Sequence, residues 1–263
     1  MRIAGAIALV TGASSGIGAA TAVELAKRGA TVVVTARREA ELDVTAKRCQ
    51  EHTAASFAIT GDLGVAGEGD RIVAAAAERL GRVDIVVNNA GISLHRHALG
   101  TGATDVEHVM RVNFLSAVQT TMAALPAMVE RKHGSVVNIT SVAGYIPNPN
   151  ESAYGASKAA LSLWSHGLAV DLHGTGVHVG VLSPGPIDTP IWEFDETPSS
   201  YKGKKYPPEV VAAGVARMVE KRIAHLTVPR RFGAVGPMYA LPFVGRQVRK
   251  GLIAFERKGT AGP

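Results

Sequence analysis

The chain has 263 residues, of which 46% are hydrophobic and 19% are charged. This composition is typical of a globular chain with a sizeable core and excludes a disordered one. The single cysteine, Cys49, excludes an intramolecular disulfide and a zinc site made of several cysteines, and it is compatible with a reducing, cytoplasmic location. No uninterrupted apolar run reaches the ~18 residues of a membrane-spanning helix.

The net charge of +6 is unevenly distributed along the chain. Residues 1–200 hold 15 Lys and Arg against 19 Asp and Glu, whereas residues 201–263 hold 13 against 3. The excess of positive charge is therefore confined to the end of the sequence. This distribution predicts a locally basic surface and argues against a general binder of polyanions, so we expect no nucleic-acid partner.

Short apolar, β-rich runs alternate with helical patterns along most of the chain. The predicted strands are Ile7–Val10, Thr31–Thr35, Ala55–Thr60, Val83–Asn88, Ser135–Thr140 and Val177–Leu182. The predicted helices are Ile17–Arg28, Arg38–His52, Gly67–Leu80, Ala103–Arg131 and Ser152–His173. This alternation predicts an α/β fold, a doubly wound parallel sheet with helices on both faces, and ligands above the carboxyl ends of the strands.

A glycine-rich segment, Thr11–Gly18, joins the first predicted strand to the first predicted helix. Gly12 permits a tight turn, Gly16 lets the backbone approach a pyrophosphate, and Gly18 lets the helix pack closely on the strand. The spacing is GxxxGxG rather than the commonest dinucleotide fingerprint, GxGxxG. Glycine turns also occur for purely steric reasons, but a strand before the loop and a helix after it favour phosphate binding. The predicted nucleotide site also includes Ser14, Ser15 and Ile17.

The end of the second predicted strand indicates which dinucleotide fits. An acidic residue about 20 positions beyond the glycines would hold the 2′-hydroxyl of the adenine ribose in NAD(H). Here Ala36 occupies that place and is followed by Arg37 and Arg38. The missing carboxylate and the two guanidinium groups favour the 2′-phosphate of NADP(H) over NAD(H). The alternative is that the arginines only begin a solvated helix, which leaves the missing acid unexplained.

Tyr154 and Lys158 lie in the sequence Tyr-Gly-Ala-Ser-Lys, near the start of a predicted helix. Their spacing places both side chains on one helix face. A neighbouring ammonium and the positive ring of an oxidised nicotinamide would both lower the pKa of the phenol, which is near ~10 in a free tyrosine. Tyr154 would then exchange a proton with a carbonyl or alcohol oxygen, and Lys158 would reach the nicotinamide ribose. The pair alone is also compatible with an exposed helix face.

Two further polar residues are candidates for the same site. Ser141 follows a predicted strand and therefore lies at the ligand-binding edge of the sheet, where its hydroxyl could stabilise charge on the reacting oxygen. Asn113 lies inside a long predicted helix, which is unfavourable for asparagine unless its amide holds something, such as a water or Lys158 in a proton relay. A capping serine and a surface asparagine are the alternatives.

The combined motifs resemble those of the short-chain dehydrogenases/reductases. The motifs are TGASSGIG at 11–18, Asn-Asn-Ala-Gly at 88–91, the set Asn113, Ser141, Tyr154 and Lys158, and Pro-Gly-Pro-Ile-Asp-Thr at 184–189. They follow one another in the order of that family, and the resemblance covers roughly residues 5–225. It implies a Rossmann-type domain with the cofactor bound first. It assigns the acid/base role to Tyr154 and substrate orientation to Ser141. It also implies that Lys158 tunes the tyrosine and binds the ribose, with Asn113 completing the relay.

The resemblance extends to the residues that contact the cofactor. Asp62 and Leu63 match the family's adenine-contacting pair, and Asn89 would line the adenine-ribose side. Arg37 matches the position that the family uses to choose NADP. The nicotinamide end of the implied site consists of Pro184, Gly185, Ile187 and Thr189.

A lid is predicted at about 186–208, and it includes the irregular segment that follows Thr189. It is part of a single catalytic domain over residues 1–228. Trp192 and Phe194 would cover an apolar substrate or only pack the lid on the body. Further pocket residues are predicted at Tyr145 and Asn148. A medium-sized apolar ketone or secondary alcohol is the expected substrate. No metal is expected, because His95 and His97 have no third ligand nearby in the sequence.

The end of the chain departs from many family members. After a seventh predicted strand, His225–Val228, residues 229–263 form a basic extension of the same domain with an amphipathic helix over Tyr239–Lys258. We expect this helix to pack on another subunit or on the lid, with peripheral contact to an anionic membrane as the less favoured alternative. Family resemblance suggests a homodimer or homotetramer formed through the two long helices. The competing function is a non-catalytic NADP(H)-binding or sensing protein on the same fold.

Overall fold

The computed structural model describes residues 1–192, 201 and 203–259, without the side chains of 235, 249 and 252–259. Seven parallel strands form one sheet in the order β3-β2-β1-β4-β5-β6-β7. The strands are β1 Ile7–Thr11, β2 Thr31–Ala36, β3 Phe57–Thr60, β4 Ile85–Asn88, β5 Gly134–Ile139, β6 Val177–Pro184 and β7 His225–Val228. The predicted doubly wound parallel sheet is confirmed, and every predicted strand overlaps an observed one.

The helices lie on both faces of the sheet, as a doubly wound fold requires. They are α1 Gly16–Lys27, α2 Glu39–Gln50, α3 Glu68–Leu80, α4 Ala103–Met110, α5 Ser116–Glu130, α6 Ser152–Asp171, α7 Glu209–Lys221, α8 Val235–Ala240 and α9 Pro242–Gly259. Helix α7 was not predicted from the sequence. That helix packs on α1, and its Val211, Val215 and Met218 are completely buried.

Two apolar layers hold the helices to the sheet. On one face Leu25 and Leu42 pack with the α7 side chains against the apolar strands. On the other face the core is built around Ile72, Met128 and Leu168, from α3, α5 and α6. The sheet is therefore buried on both sides, which explains its almost continuous Val and Ile content.

The long predicted helix is one helical stretch with a distorted turn. The segment Arg111–Leu115, between α4 and α5, forms a π-helical turn. By length and composition Ala103–Glu130 could cross a membrane, but half of its apolar window is buried and α5 contacts α3 and β4. This is the packing of a core helix.

In the described part of the basic extension there are two α-helices where the sequence predicted one. Leu241 has an extended backbone and separates α8 from α9, which begins at Pro242. The amphipathic helix therefore begins three residues later than the sequence pattern predicts. Proline at the first position of a helix costs no hydrogen bond, which explains why α9 begins there.

Candidate active site

A cleft of about 1050 Å³ runs along the carboxyl edge of the sheet. Its walls are the segments that follow β1, β2, β3, β4, β5 and β6, together with the first turns of α6. Parallel strands all end at this edge, so residues far apart in sequence meet there.

The glycine segment after β1 is packed too tightly for larger residues. A Cβ on Gly18 would lie 2.3 Å from the carbonyl oxygen of Gly12, and Gly16 has a φ of +56°. The Asn89 side chain donates to the carbonyls of Thr11 and Gly12 at 2.9 and 3.2 Å. The loop is therefore fixed to the end of β4. Among the predicted residues that line the cleft are Gly12, Ser14, Ser15, Gly16, Ile17 and Asn89.

The two arginines after β2 both border this cleft but make different contacts. The Arg38 guanidinium donates to the hydroxyls of Ser14 and Ser15 at 3.1 and 2.8 Å and lies 3.3 Å from the Glu41 carboxylate. Arg37 is exposed. Arg38 is therefore part of the glycine-loop structure, whereas Arg37 faces solvent at the edge of the cleft.

The predicted adenine pair lies next to these arginines, after β3. Asp62 and Leu63 line the cleft, and the Asp62 carboxylate accepts a hydrogen bond from the backbone N–H of Gly64 at 2.9 Å. Leu63 is buried. The structure thus brings a carboxylate and an apolar side chain to the same end of the cleft as Arg37.

At the other end of the cleft, Ser141, Tyr154 and Lys158 come together. The Lys158 ammonium lies 5.8 Å from the centre of the Tyr154 ring and donates to the Ile139 carbonyl at 3.1 Å. Ser141 follows β5 and forms a side-chain hydrogen bond with Tyr154. Strand β5 and helix α6 therefore converge on one polar cluster.

Burial dominates the electrostatics of this cluster. It raises the pKa of Tyr154 to about 12; the Ser141 hydrogen bond acts in the opposite direction, and the Glu151 charge adds to the rise. It lowers the pKa of Lys158 to about 8. From the sequence we predicted that the lysine and an oxidised nicotinamide would both lower the tyrosine pKa. In the protein without cofactor, burial is the largest influence on this pKa and raises it, because burial disfavours the charged form.

Asn113 is completely buried in the π-helical turn. Its amide donates to the Ile92 carbonyl and the Ser157 hydroxyl, both at 2.9 Å, and its oxygen accepts from the Ile92 N–H at 2.7 Å. A Cβ on Gly91 would lie 3.2 Å from both the Asn113 oxygen and the Lys158 ammonium. The asparagine therefore fixes the backbone after β4 beside the lysine, and a π-turn at a functional site is a common arrangement.

The segment after β6 forms the remaining wall. Pro184, Gly185, Ile187 and Thr189 line the cleft. Trp192 lines it too; its indole donates to the Ile187 carbonyl at 2.6 Å, and its ring stacks on Tyr201. Phe194, also predicted to cover the substrate, lies outside the described residues.

The two pocket residues predicted after β5 are placed differently. Asn148 lines the cleft. Tyr145 is not among the lining residues; its hydroxyl lies 2.8 Å from that of Ser183 and 3.0 Å from a ring nitrogen of His225. It packs behind the cleft, against β6 and β7.

One polar pair in this wall was not predicted from the sequence. His95 lines the cleft together with Glu151, the residue that precedes α6, and the two side chains form an ion pair or hydrogen bond. They are 56 positions apart, so no local pattern reveals the contact. Among the described residues, no group of three or more His, Cys, Asp or Glu could hold a metal ion.

The sheet order, the glycine loop and the cleft at the carboxyl edge define a Rossmann-type fold. The family model described as short chain dehydrogenase matches residues 6–198. The chain therefore belongs to the short-chain dehydrogenase/reductase family, and it is an oxidoreductase of that family.

Comparison with individual proteins supports the same family membership. The chain is 36% identical over 224 residues to 2-(R)-hydroxypropyl-CoM dehydrogenase of Xanthobacter autotrophicus, covering 82% of this chain and 85% of that relative. A short-chain dehydrogenase from Sphingobium yanoikuyae in complex with NADPH superimposes with a TM-score of 0.80 at 27% identity, covering 95% of each chain. A family member from Burkholderia phymatum in complex with NAD gives 0.83 at 23% identity, covering 90% and 94%, and shows the shared fold.

Proposed function

We propose that this protein is an NADP(H)-dependent oxidoreductase that transfers a hydride between nicotinamide and a carbonyl or secondary alcohol carbon. The observation that carries the proposal is one continuous cleft with the glycine loop at one end and the cluster of Ser141, Tyr154 and Lys158 at the other. A dinucleotide has its phosphates and its reactive ring at opposite ends, so this arrangement suits it.

The residues present fit such a cofactor. Gly16 and Gly91 leave space that a side chain would fill, because a Cβ on the first would lie 3.0 Å from Thr189 and one on the second 3.2 Å from Lys158. Glycine-loop N–H groups would hold the pyrophosphate, Asp62 and Leu63 the adenine, and Lys158 the nicotinamide ribose. The carboxamide would be held by Ile187 and Thr189.

In the proposed mechanism Tyr154 donates or accepts the proton that accompanies hydride transfer. When bound, the cofactor supplies or accepts the hydride. In reduction the Tyr154 hydroxyl donates its proton to the carbonyl oxygen, and in oxidation the phenolate accepts the alcohol proton. Ser141 hydrogen-bonds the same oxygen and stabilises its developing charge. The nearby Lys158 ammonium stabilises the phenolate, and Asn113 positions the backbone beside the lysine for a proton relay.

NADP(H) is proposed over NAD(H) because of the charged residues that follow β2. No carboxylate follows β2 at the place where one would bind the 2′-hydroxyl, and Arg37 borders the cleft there. The related structures contain NAD or NADPH, which supports a nicotinamide cofactor without deciding between the two.

The proposed substrate is a medium-sized apolar ketone or secondary alcohol. Apolar side chains, Trp192 and Phe232 among them, line the substrate end of the cleft with a few polar groups, including Asn148. The proposed assembly is a homodimer or homotetramer, and the proposed location is the cytoplasm.

The proposal is tested by mixing the purified protein with NADPH and a panel of ketones, aldehydes and quinones, with NADH in parallel, and following loss of the reduced cofactor. Turnover is expected with NADPH. In Tyr154→Phe turnover is expected to disappear while cofactor binding persists. The control variant Tyr239→Phe, at a residue that does not line the cleft, is expected to retain turnover. A persistent rate in Tyr154→Phe contradicts the mechanism. Binding without turnover in the unaltered protein favours the sensing protein, and folded protein without binding overturns the proposal.

A further inference from the structure

The basic extension differs from the rest of the chain in having almost no acidic residues. Between residues 229 and 255 the sequence contains five Lys and Arg and no Asp or Glu. No carboxylate lies within five positions of any of these cations in the sequence. The region therefore generates a local positive potential that favours an anionic partner.

Large apolar side chains are exposed within this positive region. Met238, Leu241 and Phe243 are 53%, 56% and 73% exposed, and they follow closely along the chain where α8 ends and α9 begins. We call these three residues the apolar corner. Single exposed apolar residues are common, but three within six positions form a patch that suits a contact with another molecule or a membrane.

Helix α9 follows the apolar corner, and its exposed face differs in composition from its buried face. Phe243, Arg246, Gln247 and Lys250 follow i, i+3, i+4, i+7 spacing and are all exposed, so they share one helix face. Gly245 is buried, and its neighbours Val244 and Val248 are half-buried. One face of the helix therefore packs on the protein while the other presents an aromatic ring followed by two cations.

Charge and composition identify the occupant that fits this face. A second copy docked through the same patch would bring cations against cations, which costs free energy. A nucleic acid would match the charge but would gain little from Met238, Leu241 and Phe243. The surface of an anionic bilayer suits both the cations and the apolar side chains. Its phosphate headgroups attract Arg and Lys, and its interfacial region accepts apolar and aromatic side chains.

We propose that the apolar corner, together with Arg246 and Lys250 on α9, is a docking surface for anionic phospholipid bilayers. Helix α8 lies close to the cleft: the Phe232 ring lines the cleft three residues before α8 begins, and a Cβ on Gly236 would lie 3.2 Å from Tyr145. Docking therefore brings the substrate end of the cleft towards the membrane surface. The inference depends on the tail alone and stands or falls independently of the proposed reaction.

The test is sedimentation of the full-length protein with phosphatidylcholine vesicles, with and without phosphatidylglycerol. Sedimentation is expected only with the anionic vesicles and is expected to weaken as salt is added, because salt screens the attraction. Arg246→Gln/Lys250→Gln and Leu241→Ser/Phe243→Ser should each lower the partition coefficient by about tenfold or more. The matched control is Val44→Ser/Arg48→Gln, which removes an exposed apolar residue and a cation from α2 and should have no effect.

Circular dichroism confirms that each variant is folded before the comparison. Sedimentation that is equal for the tail variants and the α2 control would overturn the proposal. So would equal binding to neutral vesicles, or tail variants whose only change is a smaller oligomer in size-exclusion chromatography, because the corner would then be a subunit contact.

Discussion

The His95 imidazole and the Glu151 carboxylate meet at 2.5 Å, with the side chains only 7% and 13% exposed. The other ring nitrogen of His95 lies 3.2 Å from the Ser93 hydroxyl, and the ring stacks on Trp192. The second Glu151 oxygen accepts from the Asn148 amide at 2.9 Å. This contact therefore joins the segments after β4, β5 and β6 to the start of α6, three residues before Tyr154.

The Glu151 carboxylate adds to the rise in the pKa of Tyr154, after the larger effect of burial. We expect Glu151→Gln, which keeps an oxygen acceptor for His95 but removes the charge, to lower that pKa. Alcohol oxidation needs the phenolate, so at a fixed pH below the pKa its rate should rise by roughly threefold to tenfold. The alkaline limit of carbonyl reduction should move to lower pH by the same shift.

The first measurement is the pH–rate profile of alcohol oxidation and of carbonyl reduction. The second is the alkaline titration of phenolate absorbance. The absorbance of Tyr154 is obtained there as the difference between each protein and the same protein carrying Tyr154→Phe. Asp43→Asn on α2 makes the same charge change at a residue that does not line the cleft, and it serves as the control. Unchanged titration of Tyr154 in Glu151→Gln would show that the carboxylate has only a structural role.

Arg37 and Arg38 should have separable effects on cofactor binding. Arg37 is exposed at the cleft edge, so we expect Arg37→Ala to weaken NADPH binding by about tenfold to a hundredfold, the loss of one charge-assisted hydrogen bond, with little change for NADH. Arg38 holds the hydroxyls of Ser14 and Ser15, so Arg38→Ala should weaken both cofactors. Fluorescence titration of each variant checks this, and a parallel loss of NADPH and NADH in Arg37→Ala would contradict it.

The sequence was sufficient for the sheet and for most of the cleft because both follow from short-range patterns. Apolar runs such as Ile-Val-Val at 85–87 indicate buried strands, and residues directly after strands, such as Ser141, must lie at the carboxyl edge. Helix α7 was missed although its buried Val211, Val215, Met218 and Val219 follow helical i, i+4, i+7, i+8 spacing.

Other parts of the site depend on contacts that no local sequence pattern predicts. The Ser141 hydroxyl accepts a hydrogen bond from the N–H of Ala143, closing a short turn over Val142–Gly144. The chain therefore changes direction, and Tyr145 packs against β6 and β7 instead of the cleft. The effect of burial on the Tyr154 pKa could not be predicted for a similar reason, since the degree of burial is a property of the folded protein.

Lys158 is only 4% exposed, and burial lowers its pKa from the ordinary 10.5 to about 8. Between these two pH values the unfolded chain binds more protons than the folded one, so the free energy of unfolding rises with pH across this window. Lys158→Met removes the buried charge and one hydrogen bond. Without cofactor, we expect it to raise the free energy of unfolding at pH 7 by about 2 kcal/mol while abolishing turnover.

The gain should shrink as the pH rises from about 8 towards 10.5, because the unaltered lysine then loses its charge. Urea unfolding at neutral and alkaline pH measures both variants. Lys47→Met, on the exposed surface of α2, is the control and should change stability little at either pH. Destabilisation by Lys158→Met at neutral pH would show that its bond to the Ile139 carbonyl outweighs the cost of burying the charge.

The exposed faces of the long helices indicate where subunits should meet. Leu163 and Val170 on α6 are 76% and 75% exposed, and Leu115 and Met122 on the other long helix are 41% and 50% exposed. Each pair is seven positions apart and so lies on one helix face. We expect Leu163→Glu/Val170→Glu to convert a dimer or tetramer into a smaller species in light scattering, because burying carboxylates without partners at an apolar contact is costly. Val44→Glu, at an apolar position on α2 that is 58% exposed, should leave the mass unchanged. A mass that does not change in the α6 variant would place the subunit contact elsewhere.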